Sequence, residues 1–397
     1  FFFFLMIRRP PRSTPSNSSA ASDVYKRQAA LCHSRRLSVF LPAPGLLPMN
    51  LDDLRSKIDR LDEQIVRLIN ERARIARQIG KRKAEENSFA YAPARQQEIF
   101  QNVLGVSEGP LPPETLRAIY REIMSGCLAL EKRIKVAYLG PEGTFTHMAA
   151  RANFGEAVTY VPVATIDDVF GEVERKRADY GVVPVENSTG GGIHQTLTRF
   201  LDSSLKVCAE IVQEIHHALL ARCPLEEVRK VYSREQVFSQ TRRWLQSRLP
   251  GCEQKQVLST SVAAERAAGE QGAAAIGSAN LADAHGLNVL ADHIEDYTHN
   301  VTRFFVLGGE MGAPTGNDKT ALLCSVRDKP GALHDLLVPF REHDINMTMI
   351  ESFPSPSAAW QYYFFIDFLG HPDDEGAAKA LEEMKAQASS FLSLIHI

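Results

Sequence analysis

The stretch IEDYTHNVTRFFVLG, residues Ile294–Gly308, decides how we interpret the centre of this chain. It joins an acidic turn to a polar segment and then to the apolar run Phe304–Leu307. Aromatic and β-branched residues in such a run predict a buried strand. Polar residues at the mouth of a core strand are where an α/β domain presents side chains to a ligand. The tripeptide Thr302–Phe304 alone predicts only a strand start with a solvated arginine, so the rest of the chain must decide.

Composition predicts several domains and a reducing compartment. A chain of 397 residues is too long for one ordinary core, so two or three domains are expected. The net charge of -3 gives no general attraction to nucleic acid or acidic membranes. The six cysteines form no CxxC pair, which argues against a zinc site or a disulfide framework. No apolar run approaches the ~20 residues of a membrane span. We expect a cytoplasmic protein without a nucleic-acid or membrane partner.

The two ends differ in amino-acid composition from the rest of the chain. Residues 1–48 open with four phenylalanines, continue rich in Arg, Pro and Ser, and contain Asp23 as their only acid. We interpret them as a non-native or disordered extension, with Met49 as the start of the folded protein. A transit peptide is the alternative that the Arg/Ser bias leaves open. The closing SLIHI, Ser393–Ile397, is interpreted in the same way as the first 48 residues.

One long helix is predicted for Leu51–Lys83. Its apolar residues alternate in spacings of four and three, which is typical of a coiled-coil seam. They are Leu54, Ile58, Leu61, Ile65, Leu68, Ile75 and Ile79. Arg72 occupies a position of the same series, where a cation is costly unless an anion pairs with it. Lys83 lies only about 20° away around the helix, so both cations can point into one pocket. Arg55 is roughly 100° off that face and would more easily serve a partner chain's pocket.

Two more helices are predicted, at about 95–106 and 113–132. Three helices without a strand form an all-α domain over residues 49–133. A domain of about 85 residues is too thin for a rich core unless it dimerises.

This region resembles the all-helical chorismate mutase family, which forms an intertwined dimer. The resemblance is carried by LRSKIDRLDEQIVRLINERARIARQIGKRK, YAPARQQEIF and IYREIMSGCLALEK. It implies that Arg55 of a partner chain, Arg72 and Arg95 bind the substrate carboxylates, and that Lys83 and a protonated Glu131 face the ether oxygen. Protonation at neutral pH implies a raised pKa for that glutamate. Because the Claisen rearrangement is intramolecular, the enzyme needs only to hold the reactive conformer and stabilise developing charge.

The mutase motif departs from the family at one place. Pro93-Ala94-Arg95-Gln96 stands where the family usually has Pro-Glu-Arg-Glu. Gln96 can still hydrogen-bond a substrate hydroxyl, but without charge. A dehydratase with a weakened mutase therefore stays open as an alternative.

After Lys135 the pattern changes to alternating strands and helices. GPEGTFTH, VVPVENSTGG, VYSREQVFSQ, AAIGSANLADAHGL and NVTRF resemble prephenate dehydratase in that family's order and spacing. The resemblance implies a domain at 135–309 with two α/β lobes of the type II periplasmic-binding-protein kind and an active site in the cleft. One lobe is expected to comprise 136–210 with 292–308, and the other 211–291.

In this family the threonine of TRF carries the chemistry, and it corresponds to Thr302. Prephenate loses its ring hydroxyl as water and its carboxylate as carbon dioxide, and Thr302 would donate a hydrogen bond to the departing hydroxyl. A threonine is too weak an acid to act through its pKa, so positioning must do most of the work. The implied substrate-binding residues are Thr144, Glu186, Asn187, Ser188, Asn300, Arg303 and Phe304. We interpret His216 and His217 as structural.

The last region, 318–392, predicts strand, helix, strand, strand and a final helix, and it resembles the ferredoxin-like ACT domain. The family's amino-acid ligand motifs fall on two segments. They are Gly331-Ala332-Leu333 and Glu351-Ser352-Phe353-Pro354. Phe353 stands where an arginine is usual.

Together the three resemblances imply an enzyme of the bifunctional chorismate mutase/prephenate dehydratase type. It would make phenylpyruvate from chorismate by way of prephenate and be inhibited by L-phenylalanine. It would need no metal and no organic cofactor, and would form a homodimer or higher homo-oligomer. A non-catalytic amino-acid-binding regulator is the alternative of another class, since two-lobed folds and ACT domains both bind ligands without reacting.

Overall fold

The structure, a computed structural model, describes residues 50–86, 91–297, 299–309, 314, 316–355 and 361–393. The interpretations given above for residues 1–48 and for 394–397 therefore lie outside the described residues. No helix within these ranges is both long and apolar enough to cross a membrane.

The N-terminal region consists of three helices, as the sequence predicts. They are α1 (Leu51–Glu85), α2 (Pro93–Gly105) and α3 (Pro113–Glu131). The predicted apolar seam of α1 is exposed, each of its seven residues by between 46% and 65%. The half-buried face of α1 overlaps the seam series only at Arg72, and it also contains Ala73, Ala76, Gly80 and Lys83. At Gly80 the helix passes so close to α3 that an added Cβ would lie 2.6 Å from Cγ of Glu131.

The first lobe of the dehydratase region is built on a six-stranded sheet. Its strands are β1 (Lys135–Leu139), β2 (Thr159–Val163), β3 (Tyr180–Asn187), β4 (Gly191–Gly192), β5 (Lys206–Glu214) and β11 (Val301–Gly308). The order is β2-β1-β3-β11-β5, with β4 paired to β3. Its helices are α4 (Phe145–Phe154), α5 (Ile166–Glu174), α6 (His194–Arg199) and a 3-10 turn at Phe200–Asp202. Strand β11 is thus an interior strand, antiparallel to both β3 and β5.

The second lobe is a five-stranded sheet in the order β10-β6-β9-β7-β8. Its strands are β6 (Ala218–Ala221), β7 (Lys230–Ser233), β8 (Glu253–Gln256), β9 (Ala273–Gly277) and β10 (Asn288–Ala291). Its helices are α7 (Glu235–Gln240), α8 (Arg242–Arg248), α9 (Thr260–Gly269), α10 (Leu281–His285) and a 3-10 turn at Leu225–Glu227. The two-lobed α/β arrangement predicted from the sequence is confirmed.

The first lobe extends four residues beyond the predicted limit of about 210. Strand β5 continues to pair with β11 as far as Glu214, opposite Val301. The chain therefore crosses between the lobes at 215–217 and returns at 292–300. His216 and His217 lie in the first crossing and not on a strand.

The C-terminal region is an α+β layer with a sheet in the order β13-β14-β12-β15. Its elements are β12 (Lys319–Ser325), α11 (Ala332–Glu342), β13 (Met347–Pro354), β14 (Tyr362–Leu369), α12 (Glu375–Gln387) and β15 (Ser390–Ser393). Helices α11 and α12 cover one face of the sheet, where Leu336, Phe340 and Met384 are buried. The opposite face shares one apolar cluster with the first dehydratase lobe, joining Phe353 and Phe365 to Phe305 and Leu307.

Candidate active sites

A cavity of about 300 Å³ lies among the three N-terminal helices, within the size range of small-molecule sites. Its lining includes Arg72, Lys83, Arg95, Gln96 and Glu131. The sequence predicted that Arg72 and Lys83 point into one pocket, and both line this cavity.

Glu131 is the acid of this cavity, with its side chain 11% exposed. Burial raises its pKa, although the charges of Lys83 and Arg72 act in the opposite direction. Its Oε2 lies 3.9 Å from Nζ of Lys83 and accepts no hydrogen bond from the described residues. The raised pKa has the direction that a proton-bearing Glu131 requires. Arg72 donates to Sγ of Cys127 at 3.0 Å, a weak acceptor, so its guanidinium retains donors for an anion.

The other predicted mutase residues have partners within the chain. Arg95 is 61% exposed and pairs with Glu98 at 2.6 Å. Gln96 donates from Nε2 to the backbone oxygen of Asn153 at 3.0 Å. Arg55 pairs with Asp52 at 3.2 Å on the exposed surface of α1.

The dehydratase region contributes to the mutase cavity, which sequence reasoning did not anticipate. Asn153 and Phe154, at the end of α4, belong to its lining. Asn153 donates from Nδ2 to the hydroxyl of Tyr91 at 2.8 Å. Tyr91 in turn packs on Phe154 with ring centroids 4.8 Å apart. Gln96 and Asn153 are 57 residues apart in the sequence, so only the folded chain brings them together.

The second site is built around Thr302, which is 8% exposed on β11. Asn187 lies opposite it on β3 and donates from Nδ2 to Oγ1 of Thr302 at 2.8 Å and to Oδ1 of Asn300 at 3.0 Å. The orientation of the Asn187 amide is fixed, because its Oδ1 accepts from the backbone N–H groups of Thr189 and Gly190, each at 3.1 Å. Since the oxygen of Thr302 accepts in this bond, its own proton is left to donate elsewhere.

Two polar groups beside Thr302 are buried without a hydrogen-bond partner among the described residues. They are Nδ2 of Asn300, a donor, and Oε1 of Gln213, an acceptor on the strand position opposite Thr302. A buried unpaired polar atom costs free energy unless a ligand or water satisfies it. The arrangement is therefore suited to a polar ligand placed against the hydroxyl of Thr302.

Sequence reasoning missed a hydrogen-bond chain that links this site to the second lobe. Thr189 donates from Oγ1 to Oδ1 of Asn187 at 2.5 Å, and Gln240 donates from Nε2 to Thr189 at 2.7 Å. Oε1 of Gln240 lies 2.8 Å from Nε2 of His217. Burial lowers the pKa of His217, which favours the neutral ring. Its Nε2 donates in this bond, because Oε1 of Gln240 can only accept. Gln240 ends the quoted stretch VYSREQVFSQ, which was the one signal that could have identified it.

The hydroxyls of two predicted substrate-binding residues form hydrogen bonds with backbone groups. Thr144 is the N-cap of α4, accepting from the N–H of His147 at 3.4 Å and donating to the carbonyl of Leu139 at 3.1 Å. Ser188 donates to the carbonyl of His299 and accepts from the N–H of Val301. Ser188 therefore holds the segment that leads into the strand of Thr302, whereas Thr144 holds the start of α4.

The structure places Arg303, Glu186 and Phe304 away from the expected substrate positions. Successive side chains of a strand point to opposite faces, so Arg303 leaves the face of Thr302. It binds Glu186 at 2.7 Å and belongs to an ion-pair network on the other side of the sheet. Phe304 is 1% exposed and lies in the core of the first lobe with Val136 and Tyr138. Direct substrate contact by these three residues is not supported by this geometry.

An ion-pair cluster joins the two crossings between the lobes. Nδ1 of His216 lies 2.8 Å from Oε1 of Glu295, and Nδ1 of His293 lies 3.6 Å from the same oxygen. The hydrogen bond to Glu295 raises the pKa of His216. This arrangement agrees with a structural role for His216 in holding the crossings together.

In the C-terminal region the two predicted ligand motifs lie on different elements. Gly331 is the N-cap of α11 with φ 80°, followed by Ala332 and Leu333 in the first turn. Glu351 and Ser352 lie on β13, and Glu351 is 3.7 Å from Nε2 of His194 in the first dehydratase lobe. Phe353, where an arginine is usual, is 2% exposed in the apolar cluster between the ACT sheet and that lobe.

Three family models match the chain in succession. They are Chorismate mutase type II at residues 54–132, Prephenate dehydratase at 136–312 and ACT domain at 320–386. Each of the three resemblances drawn from sequence motifs is thereby confirmed.

Curated relatives match over nearly their whole length. A bifunctional chorismate mutase/prephenate dehydratase of Aquifex aeolicus is 47% identical over 87% of this chain and 96% of its own. One of Pseudomonas aeruginosa is 43% identical over 85% of this chain and 94% of its own. A solved prephenate dehydratase of Arthrobacter aurescens, in complex with L-Phe, is 31% identical with a TM-score of 0.61. That match covers 66% of this chain and 89% of that one.

The order of the three regions and the extent of these matches lead to one assignment: the chain belongs to the bifunctional chorismate mutase/prephenate dehydratase family, with a C-terminal ACT domain.

Proposed function

We propose that this protein rearranges chorismate to prephenate in the helical cavity and converts prephenate to phenylpyruvate at Thr302, with feedback inhibition by L-phenylalanine. The observation that carries the second step is the hydrogen bond from Asn187 to Oγ1 of Thr302. It makes the oxygen an acceptor and leaves the hydroxyl proton to donate to the leaving hydroxyl of prephenate. The unpaired groups of Asn300 and Gln213 support a polar ligand at the same place.

For the first step, the proposed catalytic residues are Arg72, Lys83 and Glu131. Arg72 holds a carboxylate, and Lys83 and protonated Glu131 donate to the ether oxygen as negative charge develops there. The raised pKa of Glu131 supports the last of these roles. Arg95 would release Glu98 to bind substrate, and Arg55 would act in the pocket of a partner chain.

A weakened mutase has one observation in its favour. The amide of Gln96 already donates to the backbone of Asn153, so it reaches a substrate hydroxyl only by breaking that bond. Mutase turnover slower than dehydratase turnover would support this alternative.

Self-association into a homodimer or higher oligomer is also proposed. The seven apolar residues of the α1 seam are about half exposed in a single chain, and a second copy of the helical region would bury them.

For the effector, Gly331–Leu333 with Glu351 and Ser352 is the proposed site for L-phenylalanine. Cytoplasmic localisation stays a prediction from the six cysteines, which form no CxxC pair in the sequence.

We place the domain limits at 49–133, 135–309 and 318–392. The mutase and ACT family models lie within these limits, and the dehydratase model runs three residues past 309.

The proposal is tested by a coupled assay of the full-length protein that follows chorismate loss and phenylpyruvate gain together. Arg72→Ala is expected to slow chorismate loss by at least about 10²-fold, because the carboxylate clamp is lost. Conversion of added prephenate should remain within about twofold of wild type. Arg74→Ala, which removes an exposed arginine from the same helix, is the matched control. Equal loss in both variants would contradict the assigned role of Arg72.

A further inference from the structure

Arg303 connects the strand of Thr302 to the ACT domain. The two residues are consecutive on β11, so their side chains leave the sheet on opposite faces. Thr302 meets the amide of Asn187, whereas Arg303 points to the face against which the ACT sheet packs. Phe305, the next residue on that face, shares its apolar cluster with Phe365 of β14.

The guanidinium of Arg303 holds three carboxylates at once. Its Nε and Nη2 donate to the two oxygens of Glu210, each at 3.0 Å, and its Nη1 donates to Glu186 at 2.7 Å. Its Nη2 also donates to Oδ2 of Asp367 at 2.6 Å. Glu186 and Glu210 belong to the first dehydratase lobe, whereas Asp367 lies on β14 of the ACT sheet. Arg303 is therefore an ionic link between two domains, and its donors are engaged by protein carboxylates.

Asp367 depends on this link. Its side chain is 0% exposed, and its second oxygen, Oδ1, has no hydrogen-bond partner among the described residues. Lys319 pairs with Glu210 at 3.1 Å, whereas Arg303 is the cation bonded to Asp367. A buried carboxylate that loses its charged partner is strongly unfavourable. A displacement of β14 must therefore move Arg303 or break the pair.

Arg303 in turn is rigid with respect to its own lobe. Two parallel bonds to Glu210 on β5 and one to Glu186 on β3 fix the plane of the guanidinium. Both strands flank β11, so a force applied at Asp367 acts on the backbone one residue from Thr302. The dehydration depends on the position of that hydroxyl more than on its acidity.

We propose that Asp367 is a positioning residue for the dehydratase reaction: through Arg303 it sets the position of Thr302, and L-phenylalanine bound to the ACT domain acts on the active site through this ion pair. The reaction and the effector named here rest on the proposed function. Arg303 then couples the two domains instead of binding substrate, the role that the sequence predicted.

The test compares full-length wild type with Asp367→Asn, which has nearly the same shape but no charge. Dehydratase kcat and KM for prephenate, mutase activity on chorismate, and the thermal shift caused by L-phenylalanine are measured, with and without the effector. Asp367→Asn is expected to change dehydratase kcat about tenfold with KM within about twofold, since it removes positioning and no substrate contact. The thermal shift should persist while inhibition by saturating L-phenylalanine falls at least about fivefold, the lower end of allosteric coupling.

Arg303→Lys separates the two roles of the arginine. Lysine keeps the charge but cannot bridge three carboxylates, so positioning predicts a fall in kcat at nearly unchanged KM. A large rise in KM at unchanged kcat would overturn the proposal and restore Arg303 as a substrate ligand. Asp373→Asn removes an ACT carboxylate whose side chain is 81% exposed and is expected to leave all measurements unchanged.

Retained mutase activity shows that Asp367→Asn is folded; if it is lost, Asp367→Glu, which keeps the charge, must recover kcat and inhibition at least in part. Wild-type kcat and inhibition in Asp367→Asn overturn the proposal. If L-phenylalanine neither binds nor inhibits wild type, the feedback part of the proposed function fails, and an unchanged kcat in Asp367→Asn then overturns the positioning role separately.

Discussion

At the scale of a single residue, the proposed role of Thr302 depends on its hydroxyl proton being left to donate to substrate. The bond from Asn187 occupies its oxygen, and that amide is itself fixed by two backbone N–H groups. A hydroxyl held in this way is oriented before substrate arrives. Preorganisation of this kind, and not a shifted pKa, is what a threonine can contribute to expelling a hydroxyl.

Thr302→Ala is expected to lower the dehydratase kcat by about 10²–10⁴-fold, the usual range for removing a positioned proton donor. Mutase activity should be unchanged, because Thr302 is not part of the helical cavity. Thr302→Ser, which keeps the hydroxyl, is the matched variant and should retain most of the activity. Phenylpyruvate formation from added prephenate is the measurement. An alanine variant as active as the serine variant would exclude the assigned role.

Asp367 gives a residue-scale prediction about pH. Burial raises its pKa from 3.8 to about 6, although Arg303 acts in the opposite direction. Between these values the folded protein holds a proton that the unfolded chain has released. The stability that this bound proton contributes is therefore fully present below pH 3.8, and it is lost as the pH rises to about 6.

Wild type should accordingly lose up to roughly 3 kcal/mol of unfolding free energy relative to Asp367→Asn between pH 4 and 7. Urea titrations of both proteins across this range measure the difference. A difference that stays constant with pH would contradict the raised pKa. Asp373→Asn, at an exposed acid, is the control for general charge effects.

Close packing sets the geometry of the mutase cavity at the scale of elements. Helix α1 approaches α3 closely at Gly80, beside Glu131. A larger residue at this position must displace the glutamate or separate the helices. The half-buried face of α1 is therefore defined by small residues, and its cations stand at the edges of that contact.

Gly80→Ala is expected to destabilise the protein by about 1–3 kcal/mol, because the new Cβ overlaps atoms of Glu131. Mutase kcat/KM should fall with it, since Glu131 moves. Gly126→Ala on α3 is the matched control: nothing lies within 4 Å of its added Cβ. There the alanine should stabilise by about 0.5–1 kcal/mol. Thermal unfolding and mutase assays compare the two; a stabilised Gly80→Ala would contradict the close approach.

For the whole molecule, one chain leaves an apolar surface on α1 that a second copy is proposed to cover. The seam is too regular and too exposed to be an ordinary solvated helix face. Its burial would also supply the core that three helices alone lack.

Leu68→Glu, in the middle of the seam, is expected to weaken self-association by at least about tenfold, because a charge would be buried in the interface. Asn70→Glu, two residues away on another face of the helix, adds the same charge and should leave association unchanged. Sedimentation over a range of concentrations measures both. If wild type is a monomer at every concentration, the proposed oligomer is wrong.

The sequence by itself determined the three regions, their fold classes and the identity of Thr302, Arg72 and Lys83 as residues to examine. Sequence motifs and local periodicity are properties of short segments, so they can be recognised without knowledge of the fold. The sequence could not assign a role to Arg303. Alternation along β11 shows that its side chain leaves the sheet on the face opposite to Thr302, but not which residues it contacts there. Asp367, 64 residues further on, and Asn153, in another domain from the mutase motif, came from the tertiary structure alone. Such contacts arise from the packing of whole sheets and helices on one another, and no local pattern encodes them.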